Sequence, residues 1–258
     1  MGIVNATPDS FYEKSRAAGV DQIVEAARRL VDEGADMLDL GGQSTRPGSE
    51  PVSVEEELSR VIPALERIAG LGLPVSIDTD KAPVARAARE AGATILNDIN
   101  GLRGEGMIRE AIRFESVVLM HMAGTSPKDM QLHASYQDVV AEIKTFFTEQ
   151  TDRFVQAGGD KTRLIFDPGL GFGKDLDQNL ALVRRVDEFS VLGPVLLGAS
   201  RKSFLGKIVP DSGPSERLEG SLAVAVYAAL RGVAVLRVHD AAATRKALAV
   251  VAALQGGR

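Results

Sequence analysis

Apolar and polar positions along the chain repeat a single unit. Its clearest copy is LIFDPGLGFGK, where Leu164, Ile165 and Phe166 run into Asp167 and are followed by Pro168 and the glycines 169, 171 and 173. An unbroken apolar run is the mark of a strand buried on both faces, and proline with glycines after it marks a turn. The pattern predicts that Asp167 stands where a strand stops and a loop begins. Asn179 then precedes Leu180, Val183 and Val186 at helical spacing.

The unit recurs eight times. Strands are predicted at 2–5, 37–40, 75–77, 94–99, 117–120, 164–167, 194–197 and 233–238. Helices are predicted near 22–34, with Ile23, Ala26, Ala27, Leu30 and Val31 on one face, and through Val54, Leu58, Val61, Ile62 and Leu65. Others follow Pro83, lie near 105–113, 135–157 and 215–231, and close the chain as the alanine-rich Ala241–Leu254. Alternation without a break implies parallel βαβ units. Eight of them predict an α/β fold, a (β/α)₈ TIM barrel, as a single domain over residues 1–258. The competing architecture is a doubly wound sheet, which usually has fewer strands and often a GxGxxG after its first; none is present here. The first strand opens at the second residue, so no preceding segment is expected to plug the barrel bottom. Loops after strands one, two, five and seven are long, and long ordered loops are usually functional.

Composition narrows the class. The 258 residues are 45 % hydrophobic and 25 % charged, as in ordinary globular proteins, and contain no cysteine, which excludes disulfides and thiolate metal sites. There is no secretory signal and no apolar run long enough to span a bilayer, so a cytoplasmic protein without a membrane partner is expected. A net charge of −5, with no basic stripe interleaved with aromatics, argues against nucleic acid. It leaves room for a phosphorylated substrate, because screening confines charge effects to roughly 8 Å.

Active sites of such barrels lie at the C-terminal strand ends. In order these carry Asn5; Gln43, Ser44, Thr45 and Arg46; Asp78; Asn97 and Asp98; His121; Asp167; Ser200, Arg201 and Lys202; and Arg237 with His239. Helix capping accounts for single carboxylates or carboxamides at such ends, but not for arginine and lysine beside them. Asp78, Asp167 and Asn97 suit a flat heterocycle, since a carboxylate accepts parallel N–H donors and a carboxamide fixes orientation. Arg46, Lys202, Arg237 and His239 suit an anionic group, with Thr45 adding a hydroxyl. Phe172 reads as packing or as a stacking surface. Asp98 and His121 read as structural groups, and His133 as solvated. There is no HExxH and no tight trio of ligands, but Asn5 with a diphosphate and waters suits Mg²⁺.

Eight motifs in order resemble those of the dihydropteroate synthase family: NATPDSF (5–11), GGQSTRPG (41–48), SIDTDK (76–81), NDINGL (97–102), LMHM (119–122), DPGLGFGK (167–174), GASRKSFLG (198–206) and RVHD (237–240). The resemblance implies a TIM-barrel transferase of folate biosynthesis. Such an enzyme joins 4-aminobenzoate to 6-hydroxymethyl-7,8-dihydropterin diphosphate and releases diphosphate. It implies that Asp78, Asn97, Asp167 and Lys202 hold the pterin with Arg237 against its ring, and that Phe172 lies in the same site. Asn5, Thr45, Arg46, Arg237 and His239 would meet the diphosphate, Asn5 beside Mg²⁺. Phe11, Pro47, Lys202 and Ser203 would shape the 4-aminobenzoate pocket, where sulfonamides also bind. Asp78, Lys202 and Arg237 are the expected catalytic residues, and a homodimer is the expected assembly. The chain departs from the pattern at Ala6, at Tyr12–Ser15 in place of a Ser-Asp-Gly-Gly run, at Gln43 for a glutamate and at Asp80 for an uncharged residue. A non-catalytic pterin-binding paralogue and a pterin-dependent methyltransferase are the other readings. The second of these has no need of STRPG or SRKS, and both are present.

Overall fold

The computed structural model describes residues 1–6, 16–44, 48–209, 213 and 216–256, with side chains described from residue 19 onward in the first helix. Six strands pair in parallel and in chain order: β1 (Gly2–Asn5), β2 (Leu38–Gly41), β3 (Val75–Asp78), β4 (Ile95–Asp98), β5 (Ser116–Met120) and β6 (Leu164–Asp167). β7 (Leu196–Leu197) and β8 (Val235–Leu236) form a second parallel pair. Isolated bridges join the two sheets. Phe166 pairs with Val195, its N–H donating to Pro194 O at 2.9 Å, and Gly2 pairs with Val238. Across that last seam the Ile3 N–H donates to Val238 O at 3.0 Å, and the Val238 N–H to Met1 O at 2.9 Å. The eight strands therefore close on themselves, as the alternating pattern predicts.

Nine helices are described around them: α1 (Arg16–Asp32), α2 (Val54–Ile68), α3 (Ala82–Glu90), α4 (Met107–Ala111), α5 (Val139–Gln156), α6 (Leu176–Arg184), α7 (Ser203–Ile208), α8 (Leu218–Leu230) and α9 (Ala241–Leu254). α1 begins several residues before its predicted start, because Gly19, a poor helix former, is tolerated inside it. α5 begins later than predicted, at the point where the Asp138 carboxylate accepts the Val140 and Ala141 N–H groups. The six-residue α7 has too few turns to show a period, and the sequence pattern gives no sign of it.

Period two sets the interior of the barrel. Met1, Ile95, Val118 and Leu196 form a cluster with Met37, Ile165 and Val235, separate from the main core between strands and helices. Two positions beyond four of these residues, on the same strand faces, stand Asp39, Asn97, Asp167 and Arg237. The barrel's own apolar side chains thus fill its lower interior, and a polar layer lies directly above them.

Candidate active site

Strand register gathers the polar layer. Asn5 pairs with Gly41, Gly41 with Asp78, and Asp78 with Asn97, so these four residues share one level of the barrel. From the far side Arg237, just past β8, reaches across. Its Nε donates to Asp39 Oδ2 at 2.5 Å and its Nη2 to Asp78 Oδ2 at 2.8 Å. Asn97 Nδ2 donates to the same Asp39 oxygen at 3.1 Å. Gly198 packs beside the arginine stem, where even a Cβ would make only ordinary contact with Arg237 Cβ at 3.7 Å. Asp39 Oδ1 and Asn97 Oδ1 are buried without a hydrogen-bond partner. Buried acceptors are normally paired, so these two mark where a donor-rich ligand fits.

Asp167 and Lys202 form the other wall. Asp167 Oδ1 accepts the Gly169 N–H at 2.8 Å, which fixes the turn out of β6. The Lys202 ammonium donates to Leu170 O and stands 4.6 Å from the centre of the Phe172 ring, a cation–π contact. Phe172 therefore faces the site, as one of its two sequence readings has it. Ser203 opens α7 next to Lys202 and is exposed.

Burial dominates the electrostatics. It pushes the Asp78 carboxyl up to about 8, against the pull of Arg237 and with the help of Asp39. It lowers the Lys202 ammonium to about 8 against the opposing effect of Asp167, and raises Asp167 against Lys202. Burial also works against the charge on Arg237, but Asp39 and Asp78 outweigh it and hold the guanidinium above its ordinary value. Burial thus shifts both Asp78 and Lys202 toward their uncharged forms.

The loop after β6 has an internal anchor. Lys174 is buried, and its Nζ lies 3.1 Å from His121 O, 2.9 Å from Gly169 O, 2.9 Å from Phe172 O and 3.1 Å from His121 Nδ1. Burial lowers Lys174 well below its ordinary value and, together with Lys174, does the same to His121. His121 is edge-on to Tyr136 and Phe146, so its role is structural, as the sequence suggests. Asp98 is structural too. It caps its own turn by accepting the Asn100 and Leu102 N–H groups, each at 2.8 Å.

Asn5 is exposed at the end of β1 and lines a cleft of about 390 Å³ with Arg201, His239, Asp240, Arg29 and Glu33. His239 Nδ1 lies 3.0 Å from Ser200 Oγ, and Arg201 is paired with Asp240 at 2.6 Å. Among the described residues no group of three or more His, Asp or Glu could hold a metal. The donor set fits only an ion that brings most of its own ligands, and a lone carboxamide oxygen suits Mg²⁺ carrying phosphate oxygens and water. Phe11, Thr45, Arg46 and Pro47 lie outside the described residues.

Residues 1–239 match the pterin binding enzyme family. The chain belongs to that family. Among curated pterin-binding relatives, it is 46 % identical to the dihydropteroate synthase of Escherichia coli (strain K12) over 256 residues, 98 % of this chain and 90 % of the relative. Among solved structures, it is similar to the Xanthomonas albilineans dihydropteroate synthase with 4-aminobenzoic acid. That likeness has a TM-score of 0.92 and 46 % identity, and covers 100 % of this chain and 93 % of the other. The same enzyme in complex with 7,8-dihydropteroate gives a TM-score of 0.88 and 44 % identity, covering 100 % and 94 %.

The site of this pterin-binding chain includes one residue that strand-end reading misses. Asp39 lies two positions before the end of β2, within the apolar run MLDLG. A carboxylate interrupting a strand that is otherwise buried is the signal that would have found it.

Proposed function

We infer that this chain is a dihydropteroate synthase, condensing 6-hydroxymethyl-7,8-dihydropterin diphosphate with 4-aminobenzoate to give 7,8-dihydropteroate and diphosphate. The observation that carries the reading is the meeting of Asp78, Asn97, Asp167, Lys202 and Arg237, from five strands or their loops, around one barrel mouth. The pterin's N–H edge suits the acceptors of Asp78, Asp167 and Asn97, of which Asn97 Oδ1 is buried without a partner. Arg237 is held edge-on by two carboxylates. Its face is left to lie against the ring.

The chemistry asks little acid–base work of the protein. The amine of 4-aminobenzoate is neutral at pH 7, so no strong base is needed, and the work is to stabilise a departing diphosphate. Arg237 and His239 are the described side chains assigned to that group, and Thr45 and Arg46 are assigned to it by sequence. Mg²⁺, held by Asn5 and diphosphate oxygens, would neutralise leaving-group charge when bound. We also propose a homodimer built on α8 and α9, whose outer faces carry exposed Leu230, Val250 and Leu254.

The deciding test is diphosphate release that requires 4-aminobenzoate, Mg²⁺ and the pterin diphosphate together; folded protein that gives none overturns the reading. Lys202→Ala and Asp167→Asn should each weaken pterin binding by about tenfold or more, the scale of a lost charged hydrogen bond. Calorimetric titration measures this, and circular dichroism verifies that the fold is kept.

A further inference from the structure

The chain leaves β2 at Gly41 and regains regular structure at Val54, the start of α2. One ammonium fixes both ends of this excursion. Lys81 Nζ donates to Gln43 Oε1 at 2.6 Å, to Glu57 Oε2 at 2.7 Å and to Asp80 Oδ1 at 3.3 Å. An ammonium has three N–H donors, and all three are matched. The same Gln43 oxygen accepts the Val52 N–H at 3.3 Å, so the outgoing residue 43 and the returning residue 52 meet on a single atom.

The surroundings leave this stem little freedom. Arg60 Nη1 donates to Gly42 O at 2.7 Å, and a Cβ on Gly42 would lie 2.6 Å from Val61 Cγ1 and 2.9 Å from Glu57 Cγ. Ser44 Oγ and Ser49 Oγ are 2.9 Å apart across the loop. Glu57 is fully buried with its second oxygen unpartnered, so Lys81 is the cation that makes its charge tolerable there. Lys81 also follows Asp78 by three residues, and its own N–H donates to Thr79 Oγ1 at 3.2 Å. It therefore couples the stem of the β2 loop to the strand end that carries Asp78.

We propose that Lys81 is a positioning residue for the reaction, acting through Gln43 and Glu57 to set the exit and return of the β2 loop and so the binding of the second substrate. This rests on the synthase reading, in which that loop brings Pro47 to the 4-aminobenzoate pocket as well as Thr45 and Arg46 to the diphosphate. Gln43, a departure from the family pattern, is suited to the task. Its neutral oxygen takes two donors without adding a further carboxylate to a node that already holds Glu57 and Asp80.

The experiment pairs amide hydrogen exchange with steady-state kinetics on the full chain, for Lys81→Met, Lys81→Arg and Gln43→Ala. Lys81→Met and Gln43→Ala should speed exchange of the Val52 amide by about tenfold or more. They should raise KM for 4-aminobenzoate by about tenfold, with kcat changed less and the pterin dissociation constant within about twofold. Lys81→Arg should recover much of both effects. Gln43→Ala keeps the Lys81–Glu57 pair, so it decides the matter if Lys81→Met does not fold. Unchanged Val52 exchange overturns the proposal, and so does faster exchange with an unchanged KM. Wild-type protein that releases no diphosphate sinks the synthase reading instead, while the exchange arm still decides whether Lys81 sets the stem.

Discussion

Arg237 pairs with two carboxylates at once, yet its pull on Asp78 does not offset the burial of that carboxyl. The Asp78 carboxyl is pushed from an ordinary 3.8 up to about 8. Between those values the folded state holds a proton that the unfolded chain has lost, so this group makes stability fall as pH rises through that window. Asp98, raised to about 7 by burial, acts with the same sign over the lower part of the window. Asp78→Asn should therefore raise the thermal midpoint of the ligand-free protein at pH 8 and raise it less at pH 5, leaving the slope due to Asp98. Scanning calorimetry across that pH range checks this, and diphosphate release should fall by about a hundredfold or more in the same variant, as when a pre-organised polar group is removed. A midpoint gap that is equal at both pH values would mean that Asp78 keeps an ordinary carboxylate titration. At this scale the strand-end rule finds Asp78, Asn97, Asp167, Lys202 and Arg237. It misses Asp39, which stands inside β2 and not at its end, and Lys81, whose role depends on the loop stem and helix beside it, which is not local information.

The loop after β6 shows how one element depends on glycine. Gly169 has φ +68°, and a Cβ there would fall 2.0 Å from His121 O, a backbone atom that cannot give way. Gly171 also has positive φ, +83°, but its Cβ would meet only Lys202 Cδ at 3.4 Å. Gly169→Ala should destabilise by about 4 kcal/mol or more, in the range of severe backbone clashes, and Gly171→Ala by about 1–2 kcal/mol. Urea unfolding curves measure the difference, and equal losses would argue that the loop shifts as a whole. The next helix starts earlier than the spacing from Asn179 suggests, at Leu176, behind a reciprocal capping box of Asp175 and Gln178. Val186 lies beyond its end. It falls in a separate 3₁₀ turn over residues 186–189, where helical spacing continues by coincidence. Ala241–Leu254 was read with its true limits because nothing within it competes with the helix.

For the whole molecule, alternation of strand and helix foretold eight parallel strands, yet closure depends on contacts between residues as distant as Gly2 and Val238. No local period encodes such a contact. Surface pattern is more direct. Leu230, Val250 and Leu254 are 52 %, 60 % and 82 % exposed on adjacent helices at the end of the chain. Exposed apolar residues on two packed helices suit contact with a partner's surface. Light scattering should give twice the 27.4 kDa chain mass, and Val250→Glu with Leu254→Glu should return the protein to monomer; a monomeric wild type would remove the proposed dimer.

β7 and β8 contribute two paired residues each, whereas the other six strands contribute four or five, so the cylinder is unevenly bound. Lys202 and Arg237 ride on these two weak staves, and Asp39, Asp78 and Asn97 on the strong ones. A pterin gripped from both sides would act as a hoop around the cask, drawing tight the one place where the wall would otherwise part.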